Sequence, residues 1–187
     1  MLYHRPIDKL LAKQVIRTAR SIHQDTLVSV EVLDHWYTDR VSPEYQTEVS
    51  KQFEPDRLGP VDTWLTQDVT KILLLGPGEQ IKNIRARATE LFAGQVAMTQ
   101  DQTHLLQIMS RGVSKGAALK LVCKRYDVAL QKTIAIGDAP NDIDMLKISG
   151  IGIAMASAPE RVRRSADYVT SPNDDEGVAE ALERFVL

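Results

Sequence analysis

Apolar residues recur along the first hundred positions at two different spacings, and the switches between them mark out the elements. Leu11, Val15, Ala19 and Ile22 share one helical face behind Asp8, whose side chain suits an N-cap, so a helix is expected from there to about Gln24. Thr26 to Leu33 is β-branched and aliphatic and predicts a strand. His35 to Arg40 is its expected hairpin partner, although Leu33-Asp34 carries little turn chemistry. Residues 42–66 hold no steady period; Ser42-Pro43-Glu44 can open a short helix, and Gly59-Pro60 breaks the chain. Thr70 to Leu75 reads as a strand stopped by Gly76-Pro77-Gly78. The helix after it sets Ile81, Ile84, Ala88 and Leu91 on one face. Gln95 to Thr99 and Leu105 to Met109 are two further strands.

From Arg111-Gly112 onward, strands alternate with helices. Ser114 caps a helix expected to turn Ala118, Leu119, Val122 and Tyr126 inward. A strand from Thr133 to Ile136 runs into Gly137-Asp138, and a helix starts near Asn141. A strand at Ile151–Met155, a short helix from Ala158-Pro159-Glu160 and a strand at Tyr168–Thr170 follow. Asp174 caps a last helix with Val178, Leu182 and Phe185 as its expected buried stripe. Such alternation argues for a parallel sheet with helices on its faces. The fold class is therefore α/β, with a mixed unit at 1–110 and a parallel-sheet unit at 111–187; no repeat or low-complexity tract intervenes.

Length and charge narrow the function classes. With 187 residues and a formal net charge of -2, the chain has room for one or two domains and no global field for nucleic acid or an anionic membrane. Arg161-Val162-Arg163-Arg164 reads as a solvated helix face. The longest aliphatic run, Ile72-Leu73-Leu74-Leu75, is far too short to span a bilayer. The first residues lack a signal-peptide pattern, so a cytoplasmic location is the expectation. The single cysteine, Cys123, reads as a small core residue, and the four histidines are too scattered to hold a metal.

The richest string is Ile134-Ala135-Ile136-Gly137-Asp138-Ala139-Pro140-Asn141-Asp142. Ligands bind beyond the carboxyl ends of parallel strands, which puts Asp138 at such a mouth. Gly137 leaves room for a ligand, and Asn141 and Asp142 begin a helix whose free N–H groups favour an anion. Two carboxylates four residues apart can share magnesium, which keeps its waters and takes few protein ligands. The same string also reads as a plain turn with an ordinary N-cap. Lys115, at the entry to its helix, either aims its ammonium at a phosphate or a carboxylate, or is simply solvated.

Gly112-Val113-Ser114-Lys115-Gly116, Gly137-Asp138-Ala139-Pro140-Asn141-Asp142-Ile143, Met145-Leu146, Gly152-Ile153-Ala154-Met155, Ala166 to Thr170 and Asn173 to Val178 occur in that order. Together they resemble the Cof-type phosphatases of the haloacid dehalogenase superfamily. The resemblance implies a Rossmann-like parallel core, of which 111–187 is the C-terminal part, preceded by an α/β cap at 1–110. It implies Lys115 as the lysine that offsets charge on nucleophile and phosphate, and Asp138 and Asp142 as magnesium-site acids. It also implies Asn141 as a residue positioning the phosphate or the loop. Ser157 stands where the family commonly has Asn, which puts one loop contact in question.

The family also needs a nucleophilic aspartate and a second acid in D-x-D-x-T after an apolar strand. The one D-x-D here, Asp142-Ile143-Asp144, belongs to the helix start, so the resemblance leaves the nucleophile outside this chain and implies truncation. The expected function is magnesium-dependent hydrolysis of a small phosphorylated metabolite, such as a sugar phosphate, through an aspartyl-phosphate. The alternatives are an inactive module that binds phosphate, metal or a partner chain, and a phosphomutase. A core without its nucleophile strand is expected to expose a sheet edge and apolar helix faces and to self-associate.

Overall fold

The computed structural model describes residues 3–46 and 51–187, so residues 47–50 of the aperiodic stretch lie outside it. The chain divides into two compact units, Met1–Gly112 and Val113–Leu187.

The first unit contains α1 (Lys9–Ile22), β1 (Leu27–Val32), β2 (His35–Thr38), β3 (Arg57–Leu58), α2 (Val61–Trp64), β4 (Lys71–Leu75), α3 (Gly78–Phe92), β5 (Val96–Gln102) and β6 (Leu105–Ser110). Asp8 caps α1 by accepting the N–H groups of Leu10 and Leu11 at 2.8 and 3.2 Å. The sheet runs β3-β2-β1-β4-β6-β5 and is antiparallel except between β2 and β3. The β1–β2 hairpin forms although its turn residues are poor. Leu33 takes a left-handed φ of 56°, and the Thr70 hydroxyl accepts its N–H at 2.8 Å, so a distant hydrogen bond supplies what local chemistry lacks.

Strand alternation sorts the sheet into two faces. Val28, Val30, Ile72, Leu74, Leu106 and Ile108 point into one core with the apolar stripes of α1 and α3. On α3 that stripe is Ile81, Ile84, Ala88 and Phe92, while Leu91 is exposed. At 100° per residue Phe92 lies about 20° from the direction of Ile81 and Leu91 about 80° away, so the expected fourth member was off by one residue. Asp39, just past β2, is a second anchor. It accepts the N–H of Val28 at 2.9 Å and that of Val61 at 2.8 Å, and it pairs with Arg20 of α1 at 2.7 Å. Arg20 also pairs with Asp62. Burial pulls the Arg20 guanidinium down, but hydrogen bonds and charge from the two carboxylates outweigh it and hold the group above its ordinary value.

The second unit contains α4 (Lys115–Tyr126), β7 (Ile134–Gly137), α5 (Ile143–Ile148), β8 (Ile151–Met155), α6 (Glu160–Arg163), β9 (Tyr168–Thr170) and α7 (Gly177–Phe185). Its three strands are all parallel, in the order β7-β8-β9. The core is built from small and medium residues, Ala135, Leu146, Ala154, Ala158 and Val162. Two helices present other faces than the sequence suggests. On α4 the buried residues are Gly116 and Cys123, while Ala118, Val122 and Tyr126 are exposed. On α7 they are Gly177 and Ala181, while Val178 and Leu182 are exposed. Small residues at i and i+7, or i and i+4, allow close approach, and that approach turns the bulky stripe outward. Among the described residues no helix is long and apolar enough to cross a membrane.

Candidate active site

The chemistry-bearing residues of the second unit gather at the carboxyl end of β7. The strand ends at Gly137, a single 3-10 turn spans Pro140–Asp142, and α5 starts at Ile143. Asp142 is only 1% exposed. One of its oxygens receives the Lys115 ammonium, and the other accepts the N–H groups of Asp138 and Ala139 at 3.0 and 2.9 Å. A buried carboxylate survives only with such partners. Gly137 is the residue that admits it: a Cβ there would stand 2.5 Å from the Cβ of Asp142.

Lys115 opens α4, where Ser114 caps the helix by accepting the Ala117 N–H at 3.1 Å. Its side chain is 51% exposed against 2% for Asp142, so a half-exposed lysine sets its ammonium on a buried carboxylate. Asp144 does a parallel job. It accepts the Gly116 N–H at 3.0 Å, and a Cβ on Gly116 would stand 2.7 Å from that oxygen. Both acids of the one D-x-D thus tie the β7–α5 turn to the first turn of α4. The part played by Asp144 was not foreseen from sequence. The available signal was Gly116 itself, a poor helix former in a first turn, which points to close approach.

Asp138 is exposed at the strand end, and Asn141 lies half-buried in the turn beside it. The five expected site residues, Lys115, Gly137, Asp138, Asn141 and Asp142, therefore fall within the segment Gly137–Asp142 and the start of α4, joined through Asp142. Asp142, expected as a second metal ligand, turns its carboxylate inward to protein donors. The N–H groups it takes, those of Asp138 and Ala139, precede the helix start, and the Asp142 N–H itself bonds the Ala139 carbonyl at 2.9 Å. Among the described residues no cluster of three or more His, Cys, Asp or Glu stands ready for a metal ion. Magnesium needs no such cage, since one carboxylate with waters and a substrate phosphate suffices. Asp138 fits that single role. Across the loops, Ser157 donates to Asn173 Oδ1 at 3.0 Å, so a serine here does hold a loop contact.

The profile of the haloacid dehalogenase-like hydrolases matches residues 1–182. The phosphoglycolate phosphatase of Archaeoglobus fulgidus is 44% identical over 96 residues, which are 51% of this chain and 43% of that protein. The 5-amino-6-(5-phospho-D-ribitylamino)uracil phosphatase YitU of Bacillus subtilis is 24% identical over 189 residues, covering 98% of this chain and 68% of that one. A solved haloacid dehalogenase-like hydrolase from Bacteroides thetaiotaomicron superposes with a TM-score of 0.81 at 26% identity, over 97% of this chain and 68% of that one. The chain spans about half the length of several curated relatives, 47% and 43% of two of them. With its mixed α/β first unit and parallel second unit, the chain belongs to the haloacid dehalogenase-like hydrolase family.

Proposed function

We propose that this chain forms part of a magnesium-dependent phosphatase acting on a small phosphorylated metabolite, a sugar phosphate or sugar-derived phosphate. The observation that carries the reading is the Lys115–Asp142 pair, whose carboxylate receives the Lys115 ammonium on one oxygen and the N–H of the exposed Asp138 on the other. The names of the two relatives, phosphatases for phosphoglycolate and for a ribitylamino-uracil phosphate, support phosphate-ester hydrolysis as the reaction class. Lys115 offsets charge on the phosphoryl oxygens, and Asp142 holds Lys115 in place. Magnesium, held by Asp138, would supply further charge neutralisation when bound. Gly137 and Asn141 shape the turn that positions these groups. The first unit acts as the cap that selects the substrate.

In this reading the attacking aspartate comes from a segment outside these 187 residues. Asp142 and Asp144 form the one D-x-D, and both already hold α4. That engagement also supports a second reading, a module that binds phosphate or a partner chain without turnover. The two separate in one assay with p-nitrophenyl phosphate and magnesium. The 187-residue chain alone should release no phosphate. A version extended by a strand bearing D-x-D should release it, and Asp138→Ala in that version should abolish release. Magnesium-dependent turnover by the chain alone would refute the placement of the nucleophile. Silence of every extended version would favour the binding module.

A further inference from the structure

Lys115 is gripped at two points. Its ammonium rests on Asp142, and the peptide N–H that follows it, that of Gly116, donates to Asp144 Oδ2 at 3.0 Å. A lysine stem is long and freely rotating, so a contact at the tip alone does not fix it if the helix start beneath it moves. Helix starts do move, because their first N–H groups have no partner within the helix. On α4 two of these groups are taken. The Ser114 hydroxyl accepts the Ala117 N–H from the cap position, and Asp144 accepts the Gly116 N–H from a different helix.

That second contact is close and built into the backbone. Asp144 lies half-buried in the first turn of α5, and α4 reaches it because position 116 is glycine. A Cβ there would stand 2.7 Å from Asp144 Oδ2 and 3.1 Å from the Asp144 backbone carbonyl carbon. The two acids of Asp142-Ile143-Asp144 therefore hold the tip and the base of one lysine. They differ in what an incoming anion would do to them. Asp142 competes with the anion for the ammonium. Asp144 binds the main chain, so its contact persists when the ammonium leaves Asp142.

We infer that Asp144 is a positioning residue for Lys115: its carboxylate fixes the first turn of α4 so that the ammonium meets an anion from a set base. The ordinary role for an acid in the first turn of α5 is to complement that helix's own dipole. The two roles make different demands. The dipole needs the negative charge, whereas the Gly116 N–H needs only an acceptor oxygen, which asparagine keeps. The inference takes the work of Lys115 on phosphate from the phosphatase reading; the fixing of the lysine does not depend on it.

Acetylation rates of single lysines in the full 187-residue chain, read by mass spectrometry, test it. Asp144→Ala should raise the rate at Lys115 several-fold relative to Lys120 and Lys124 of the same helix, and Asp144→Asn should keep the parent's rate. In the unsubstituted chain the Gly116 amide should exchange with solvent more slowly than first-turn amides ordinarily do. An unchanged Lys115 in Asp144→Ala, equal gains at all three lysines, an asparagine variant that behaves like the alanine one, or an unprotected Gly116 amide would overturn the inference. In the version extended by a D-x-D strand, Asp144→Ala should lower kcat/KM about tenfold or more and Asp144→Asn should restore it. An alanine variant with the parent's kcat/KM would count against the inference equally. Should no extended version release phosphate, the phosphatase reading fails and the acetylation rates still decide the role of Asp144.

Discussion

Asp142 is a buried carboxylate whose structural work is visible, and the proposed reading gives it a functional share through Lys115. Asp142→Ala removes the acceptor for two N–H groups and leaves Lys115 unanchored. Because Lys115 can reach water, the cost falls on the two N–H groups, about 2–3 kcal/mol in urea unfolding. Asp138→Ala, at an exposed position, should stay within about 0.5 kcal/mol while removing the proposed metal ligand. A large stability loss at Asp138 would contradict that division of labour. Sequence made the residues legible but not the division: G-D-x-x-N-D marks a mouth, yet which acid faces in depends on Gly137 making room and on Lys115 arriving from another helix. Asp144 left only an indirect trace, Gly116 in a first helical turn, since its partner is a backbone N–H.

At the scale of elements, period and caps were readable, whereas burial on helices that pack through small residues was not. The 3.6 period found α4 and α7 but assigned their bulky stripes inward, because a hydrophobic pattern cannot say that Gly177 and Ala181 set the approach. A Cβ on Gly177 would stand 2.0 Å from the Ser171 carbonyl oxygen, so Gly177→Ala should cost about 1–3 kcal/mol by overpacking, and Val178→Lys close to nothing, in paired thermal melts. The β9–α7 junction adds a pH dependence. Hydrogen bonds from Ser171, with help from the Thr170 hydroxyl, hold the Glu180 carboxyl below its ordinary value against a smaller opposing effect of burial. A depressed carboxylate stabilises the fold above its unfolded pKa, and the contribution fades as pH falls through the lower folded value. Melting temperature should therefore drop more steeply on acidification in the parent than in Glu180→Gln. Parallel curves would show that this carboxylate contributes nothing.

For the whole molecule, the decisive feature is what the second unit leaves uncovered. Among the described residues β7 is paired on one side only, by β8. Apolar side chains of the same unit face solvent: Val122 is 51% exposed and Tyr126 71%, on a helix whose buried positions are Gly116 and Cys123. An unpaired parallel strand offers a row of N–H and C=O groups to any extended chain, and apolar helix faces gain most by being covered. Either alone is tolerable on a monomer; together they favour association. The 187-residue chain should therefore sediment as dimers or larger species at micromolar concentration. Val122→Lys with Tyr126→Lys should shift the distribution toward monomer without lowering the melting temperature, because both side chains are exposed. Supplying the strand-bearing extension should do the same by covering the β7 edge, and it should restore phosphate release in the same sample. A parent chain that sediments as a monomer across the concentration range would show that the edge and the helix face are stable in water as they stand, and would remove the structural argument for a covering strand.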